Sequence, residues 1–427
     1  MGKVKNVVLG VSDSLRRDAA LDVGIHRASK GLAFECVAQA NCTPAAISSI
    51  ITGLNPQTHL MHRFDQSLDP FTPTIFSILK ERGYETNYLS LGRDTPITEC
   101  QEEPLLGYMN FPFDPSKKLE YFLRGEQPFA LFLHFWDTHT PYLLEDKTGA
   151  QVDELFAQMS KEGKLPEMKK MYWDSVEHLK ENKIRPIIEL LERHGRTEDT
   201  LFILMGDHGE MLGEKYEWAN YDTALVPDSP VNHVGVLVPE TIDVPLIAFN
   251  PSLNTPKEEL TVRQVDVLST ILSQLGIAYS PQDFEGVNIF DFKGILASFS
   301  IGVHPHTPRY LTKKREDWVS WIDEPLFRRV SVRVLDDFYV STERGEVLAN
   351  FRSKQQIHDE TRMEVLRAYT NRFKHGRYKG IVSTKNPITS GKVIFDGKGA
   401  GVIKGEGASA EEDRRRMEDR LRRLGYM

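Results

Sequence analysis

TLFILMGDHGEMLGE, residues Thr200 to Glu214, is the stretch that decides the fold. Its first six residues, Thr200 to Met205, form a run with no charged residue that ends at Gly206. A short, continuous apolar run reads as a strand buried on both faces, inside a sheet that carries helices on either side. Asp207 and His208 then stand between Gly206 and Gly209, where a packed core has no use for them. Adjacent oxygen and imidazole donors at a strand-to-loop junction suit Zn²⁺, Mn²⁺ or a related divalent ion. The glycines allow the backbone to approach a metal or phosphate closely.

Similar runs recur on both sides of this stretch. Asn6 to Val11, Glu85 to Leu91, Phe129 to Phe135 (FALFLHF) and Val244 to Phe249 (VPLIAF) read as strands. Pro44 to Thr52, Thr72 to Arg82, most of Gln151 to His194 with a break at Lys161 to Pro166, and Val262 to Leu275 read as helices. Gly53, Gly83 and Gly276 sit where three of these helices stop. Strands alternating with helices predict an α/β fold, a mostly parallel sheet sandwiched by helices. After about residue 300 the pattern changes. Val330 to Ser341 reads as a hairpin turning at Asp336-Asp337, Glu346 to Phe351 as a strand and Thr361 to Phe373 as a helix. The expected organisation is a catalytic unit over residues 1–300, a small C-terminal α+β appendage over 301–375, and a Gly/Lys-rich linker with a charged terminal helix (Ala410 to Leu424) over 376–427.

Composition narrows the function. The 427 residues include 53 Lys plus Arg against 61 Asp plus Glu, a formal charge of -8. That opposes nucleic-acid binding through a general basic surface, while leaving room for a local anion pocket. Three cysteines, Cys36, Cys42 and Cys100, cannot all pair and do not make a disulfide scaffold. The apolar run near the start is short and flows into charge, so it reads as a strand rather than a signal peptide or membrane span. A reducing, cytoplasmic location is the expectation, with no nucleic-acid or membrane partner; a homo-oligomer is compatible with the sequence.

Three further segments carry polar residues that a core does not need. Ser12-Asp13-Ser14-Leu15-Arg16 follows the first strand, and Asp13 there can ligate a metal or cap a helix. Asn41-Cys42-Thr43-Pro44 leads into a helix, where a hydroxyl or thiol faces the positive end of the dipole, or Thr43 simply caps the helix. Asp137-Thr138-His139-Thr140-Pro141-Tyr142 follows FALFLHF, and His233 precedes VPLIAF.

Taken in order, the first strand with Asp-Ser-Leu-Arg, the Thr-Pro step with TGLNPQTH, Asp-x-His-x-Pro-Tyr, GDHGEMLGE, and the His before Val-Pro-Leu resemble the sulfatase family of the alkaline phosphatase superfamily. The resemblance spans most of residues 5 to 300 and implies that family's alkaline-phosphatase-like fold. It further implies a divalent metal ion (Mn, Zn, Ca or Mg) held by Asp13, Thr43, Asp207 and His208, one ion rather than two. Many sulfatases have a second Asp where this chain has Ser14. Their Cys-x-Pro-x-Arg motif, whose cysteine becomes formylglycine, is matched here by Cys42-Thr43-Pro44-Ala45-Ala46, which lacks the arginine. In the family the nucleophile precedes the Thr-Gly dipeptide by nine positions, the spacing from Thr43 to Thr52. Starting from Cys42 would add a residue and turn the helix by about 100°. Thr43 is therefore the expected nucleophile and Cys42 the alternative.

His139 and His233 match family positions that contact the substrate or protonate the leaving group. With Asp137 they form the alternative set for a second metal or for the substrate. Arg16 and Asn41 are candidate anion contacts. The implied activity is hydrolysis of a small-molecule phosphate or phosphonate ester through covalent Thr43. The alternatives are a sulfatase using Cys42 or Thr43, and a non-catalytic anion-binding protein on the same fold.

Overall fold

The computed structural model describes residues 4–27, 31–62, 68–69, 71–89, 115–144, 147, 149–219, 230–253, 261–280, 282–303, 329–342, 344–374, 377 and 379–382. In chain order its elements begin with β1 (Asn6–Ser12), α1 (Arg17–Asp22), β2 (Leu32–Val37), α2 (Thr43–Thr52), α3 (Pro56–His59), α4 (Ile75–Glu81), β3 (Glu85–Leu89), α5 (Pro115–Arg124) and β4 (Phe129–Phe135). There follow α6 (Gly149–Lys161), α7 (Leu165–Leu179), a π-turn at Lys180–Ile184, α8 (Arg185–Arg193), β5 (Thr200–Gly206), β6 (Met211–Leu212), β7 (Val231–Asn232), α9 (Pro239–Ile242), β8 (Asp243–Phe249), β9 (Thr261–Arg263) and α10 (Asp266–Gln274). A second unit contains β10 (Ile295–Ile301), β11 (Val330–Val334), β12 (Asp337–Thr342), β13 (Gly345–Asn350), α11 (Glu360–Lys374) and β14 (Ile381–Val382).

The main sheet has seven strands in the order β3-β4-β1-β5-β8-β2-β9. β1 pairs in parallel with β4 and β5, and β8 runs antiparallel to both β5 and β2. Every residue of β1, β4 and β5 is buried, because helices cover both faces. The faces alternate along β1. Val7, Leu9 and Val11 pack with Ile47, Ile50 and Ile51 of α2, Leu79 of α4 and Leu268 and Leu272 of α10. Val8 packs with Ala19 of α1, Phe122 of α5, Phe156 of α6 and Val176 of α7.

This topology selects where the site lies. Ser12 stands opposite both Phe135 and Gly206, so the segments after β1, β4 and β5 emerge side by side at one sheet edge. The antiparallel β8 brings its amino end to the same edge, since Met205 pairs with Leu246 and Phe202 with Phe249. Its upstream loop, with His233, therefore reaches the carboxyl ends of the parallel strands. β2 ends there too and leads into α2, whose first turn holds Pro44 and which stops at Gly53, φ 64°.

The second sheet, β13-β12-β11-β10-β14, supports that edge from behind. Ile301 N–H donates to Gln39 O at 3.0 Å and Asn41 N–H to Ile301 O at 3.3 Å, so β10 grips the segment between β2 and α2. It begins at Ile295, before the expected boundary near 300. The helix expected from Val262 instead starts at Asp266, because Thr261–Arg263 joins the sheet edge beside β2. The hairpin of β11 and β12 turns at Leu335-Asp336. Within the linker expected over 376–427, Ile381–Val382 instead forms β14 against β10, while the part beyond 382, with the charged helix, lies outside the described residues, as does Cys100. No helix among the described residues is long and apolar enough to cross a membrane.

Candidate active site

Asp13 directly follows β1 and is fully buried. Its N–H donates to Phe135 O at 2.8 Å, and its carbonyl accepts the Thr138 hydroxyl, which locks the loop after β4 onto the loop after β1. Ser14 adopts the left-handed region, φ 61°, and its N–H thereby reaches Asp207 Oδ1 at 3.0 Å. His208 N–H also donates to Asp207 Oδ1, at 2.7 Å. Asp207 Oδ2 is buried and makes no hydrogen bond among the described residues.

Three side chains converge here. Oxygens of Asp13 and Asp207 and a ring nitrogen of His208 all lie within 4.8 Å of one another. His208 Nδ1 lies 3.0 Å from Gly209 O, and donating there leaves Nε2 as the lone-pair nitrogen, 3.5 Å from Asp13 Oδ1 and 3.5 Å from Asp207 Oδ2. Thr43, the first residue of α2, completes the group. Its hydroxyl donates to Asp13 Oδ2 at 3.2 Å and lies 3.3 Å from His208 Nε2.

The electrostatics match a cation site. Burial opposes ionisation of Asp13, but His139, His208, His134 and His233 outweigh it and hold its pKa down to about 2. Burial and the neighbouring Asp13 push Asp207 well above the usual carboxylate range. Burial, with His233 close by, lowers His208 to about 3, so its ring is neutral and able to ligate. Two buried carboxylates, one with an unbonded oxygen, and a neutral imidazole with its lone pair turned inward fit a divalent ion.

His139 and His233 flank the group. Their ring centroids are 5.8 Å apart, and the His233 ring lies 4.2 Å from that of His208. His139 Nδ1 is 2.7 Å from Thr140 O. Burial opposes protonation of His139, but Asp13 and Glu210 raise its pKa. His233 Nδ1 lies 3.1 and 3.3 Å from the two Glu210 oxygens. Burial pushes Glu210 up to about 7 and His233 down to about 3.

Several sequence expectations are corrected by the geometry. Asp137 turns away and pairs with His178 Nδ1 of α7 at 3.0 Å, so it joins no second metal set with His139 and His233. Arg16 is not an open anion contact: its guanidinium binds Asp18, Glu214 and Glu210 O, and it is buried. Asn41 is also committed, donating to His233 O and Val236 O and accepting from Val303 N–H. Cys42 lies on the other side of the helix end, buried with Ala40, Ala45 and Phe299, and burial drives its thiol far above the range of a reactive thiolate.

The helix end offers fewer donors than its dipole suggests. Pro44 has no N–H, and Ala46 N–H is bonded to Cys42 O. The glycines after β5 make room for protein backbone rather than for ligand. A Cβ at Gly206 would meet Leu15 O at 2.5 Å, and one at Gly209 would meet Glu240 O at 2.0 Å.

Three residues near the site had no role in the sequence reading. His134, the one ionisable residue in FALFLHF, places Nε2 3.8 Å from Asp13 Oδ2, and that polar break in an apolar run was its signal. Glu210 was visible only as the end of GDHGE. Asp153 on α6 is raised to about 6 by burial and by Glu210, and nothing local in its sequence marks it.

A profile of the family described as Sulfatase matches residues 5–277. The low-salt glycan biosynthesis sulfotransferase Agl7 of Haloferax volcanii is 27% identical over 278 residues, covering 64% of this chain and 61% of the relative. The match thus spans under two thirds of that protein's length. Among solved structures, a 2-O GAG sulfatase is similar with a TM-score of 0.62 at 15% identity, covering 87% of this chain and 93% of its own. The phosphonate monoester hydrolase of Silicibacter pomeroyi gives a TM-score of 0.60 at 16% identity, covering 86% and 94%. At such identities the likeness establishes the fold, an alkaline-phosphatase-like sheet between helices with a small antiparallel sheet after it.

Proposed function

Because this chain belongs to the sulfatase family of ester hydrolases, we propose that it cleaves a small-molecule phosphate or phosphonate ester, with Thr43 as the covalent nucleophile. The observation that carries the reading is the Thr43 hydroxyl, 3.2 Å from Asp13 Oδ2 and 3.3 Å from His208 Nε2, at the start of α2.

A divalent ion held by Asp13, Asp207, His208 and Thr43 would supply Lewis-acid polarisation of the transferring group and ease loss of the hydroxyl proton. The remaining chemistry belongs to the chain itself. Asp13 Oδ2 is the acceptor already bonded to the Thr43 hydroxyl, so it orients one oxygen lone pair towards an incoming phosphorus or sulfur. His233 lies against His208 and His139 against His233, each with Nδ1 anchored, which leaves Nε2 of each as the nitrogen able to exchange a proton with substrate. Water then cleaves the Thr43 ester. The apolar packing of Cys42 and the Ala46 at the arginine position support threonine over a formylglycine derived from Cys42, and phosphate or phosphonate over sulfate.

The name of the halophile relative favours a second reading, transfer of a sulfuryl group to an acceptor alcohol. It needs the same Thr43 ester, with an alcohol in place of water. The test is a panel of p-nitrophenyl phosphate, bis-phosphate, phosphonate and sulfate esters with Mn²⁺ or Zn²⁺, run with and without added alcohol. Turnover of a phosphate or phosphonate ester supports the first reading. Turnover of sulfate alone, dependent on acceptor, supports the second. No turnover by metal-loaded protein counts against both and favours a binding role.

A further inference from the structure

On the reading of Asp13, Thr43, Asp207 and His208 as the cation's ligands, we propose that Gln264 is a positioning residue that holds Asp207 and Thr43 in register with each other across the sheet edge. Gln264 stands between β9 and α10 and is fully buried. β9 is the outermost strand of the main sheet, with β2 and β8 between it and β5. The Gln264 side chain nevertheless reaches the end of β5. Its Nε2 donates to Gly206 O at 3.0 Å and to Asp207 O at 2.6 Å. Its Oε1 accepts the Gln39 N–H at 2.9 Å, in the segment that runs from β2 to Thr43.

An amide is the side chain that fits these three partners. Two carbonyls need donors and one N–H needs an acceptor, and Gln264 supplies both from one planar group. A carboxylate would turn an acceptor towards the carbonyls, and an apolar side chain would leave all three groups buried without this partner. Gln39, also fully buried, answers from the other side. Its Oε1 accepts the Val265 N–H at 3.1 Å, and its Nε2 donates to Phe299 O at 3.4 Å. Each glutamine therefore takes an N–H from the other's stretch of chain, and only Gln264 extends the clasp to the loop after β5.

The clasp bears directly on the ligands. Asp207 Oδ1 accepts the Ser14 and His208 N–H groups at 3.0 and 2.7 Å, while Gln264 holds the carbonyl of the same residue. With main chain and one carboxylate oxygen fixed, Oδ2 is left facing His208 Nε2, 3.5 Å away. Thr43 is carried by the other end of the clasp, through Gln39 N–H on Gln264 and Asn41 N–H on Ile301 O at 3.3 Å. Without the Gln264 amide, the Asp207 loop and the segment before Thr43 move independently, so cation affinity falls in protein that is still folded.

The experiment uses the full chain, Mn²⁺ as the probe and Thr270→Val as the matched control. Thr270 on α10 is also buried, and its hydroxyl donates to Asp266 O at 2.7 Å and accepts the Ile289 N–H at 3.1 Å, away from the site. Electron paramagnetic resonance titration should show Gln264→Met binding Mn²⁺ about 10-fold or more weakly than wild type, with Thr270→Val within about twofold. Wild-type affinity in Gln264→Met, or an equal loss in Thr270→Val, would overturn the proposal while leaving Thr43 as nucleophile untouched. Hydrogen exchange in metal-free protein reads the same displacement without cation or turnover. The Ser14 and His208 amides, which hold Asp207 Oδ1, should speed up in Gln264→Met by more than the Leu9 amide of β1 does, and in step with Leu9 in Thr270→Val. Exchange in step with Leu9 in Gln264→Met overturns the proposal even if the wild type binds no Mn²⁺. Gln264→Asn, which keeps the amide and shortens its reach, carries the same two measurements if Gln264→Met does not fold.

Discussion

Replacing Asp207 by Asn should stabilise the metal-free protein and remove its response to metal. Oxygens of Asp13 and Asp207 lie within 4.8 Å in a fully buried setting. If both were ionised, an effective dielectric near 20 gives a repulsion of about 3 kcal/mol. Metal-free protein avoids this by keeping a proton on Asp207, whose pKa burial and Asp13 raise. The sign follows from linkage. A carboxyl with a raised folded pKa binds more protons folded than unfolded, so its contribution is present at low pH and is lost as pH rises. Asp13, lowered to about 2, has the opposite sign, but that contribution is complete once the unfolded carboxyl is ionised. Metal-free Asp207→Asn should therefore exceed wild type by about 1.5 kcal/mol near pH 5 and by about 3 kcal/mol near pH 8. Taking the difference between the two proteins cancels the other titrating groups. With cation at about 100 times its Kd, wild type should gain about 2.7 kcal/mol, or about 3 °C in Tm, and the variant less than a third of that. Urea and thermal melts in chelator and in Mn²⁺ measure both. A metal-free wild type more stable than Asp207→Asn at the higher pH, or equal metal shifts in the two proteins, refutes the shared-cation reasoning.

Other consequences follow from neighbouring residues. Asn41→Ala leaves the Val303 N–H and two carbonyls without their buried partner, so the urea midpoint should fall by the equivalent of about 2–4 kcal/mol, with kcat falling as the His233 loop loosens. Gly209→Ala puts a Cβ 2.0 Å from Glu240 O and should cost more than about 4 kcal/mol or prevent soluble expression, whereas an anion-pocket role alone would leave stability unchanged. Arg16→Met should destabilise by about 3 kcal/mol through its carboxylate partners, while folded protein keeps its KM for the ester; a large rise in KM without loss of stability would restore Arg16 as an anion contact.

The main sheet was readable because its central strands are continuous apolar runs, and each is followed by polar residues that burial alone does not explain. Asp13, Asp207 and His208 stood out for that reason, and register then brings them together across β1 and β5. The reversal of β8 was not readable, since an apolar run carries no direction, yet that reversal brings His233 to the site. β2 escaped notice because LAFECV mixes exposed and buried positions at a sheet flank. The partners of Asp137, Arg16 and Asn41 come from 41 to 262 residues away in sequence, apart from the local Asp18 contact, so their prior commitment was invisible. Glu210 shows the same limit from the other side. Its motif could be quoted, but its pairing with His233 is a property of the fold.

The chemistry at this site turns on which side chain attacks. Thr43→Val keeps the shape of the residue and removes the hydroxyl, and Cys42→Ala removes the thiol packed behind it. Turnover of the two metal-loaded variants on the same p-nitrophenyl ester measures the central claim. Loss of activity to background in Thr43→Val, with Cys42→Ala retaining most of the wild-type rate, is the predicted result. Sustained turnover by Thr43→Val, or its loss in a folded Cys42→Ala, would contradict it.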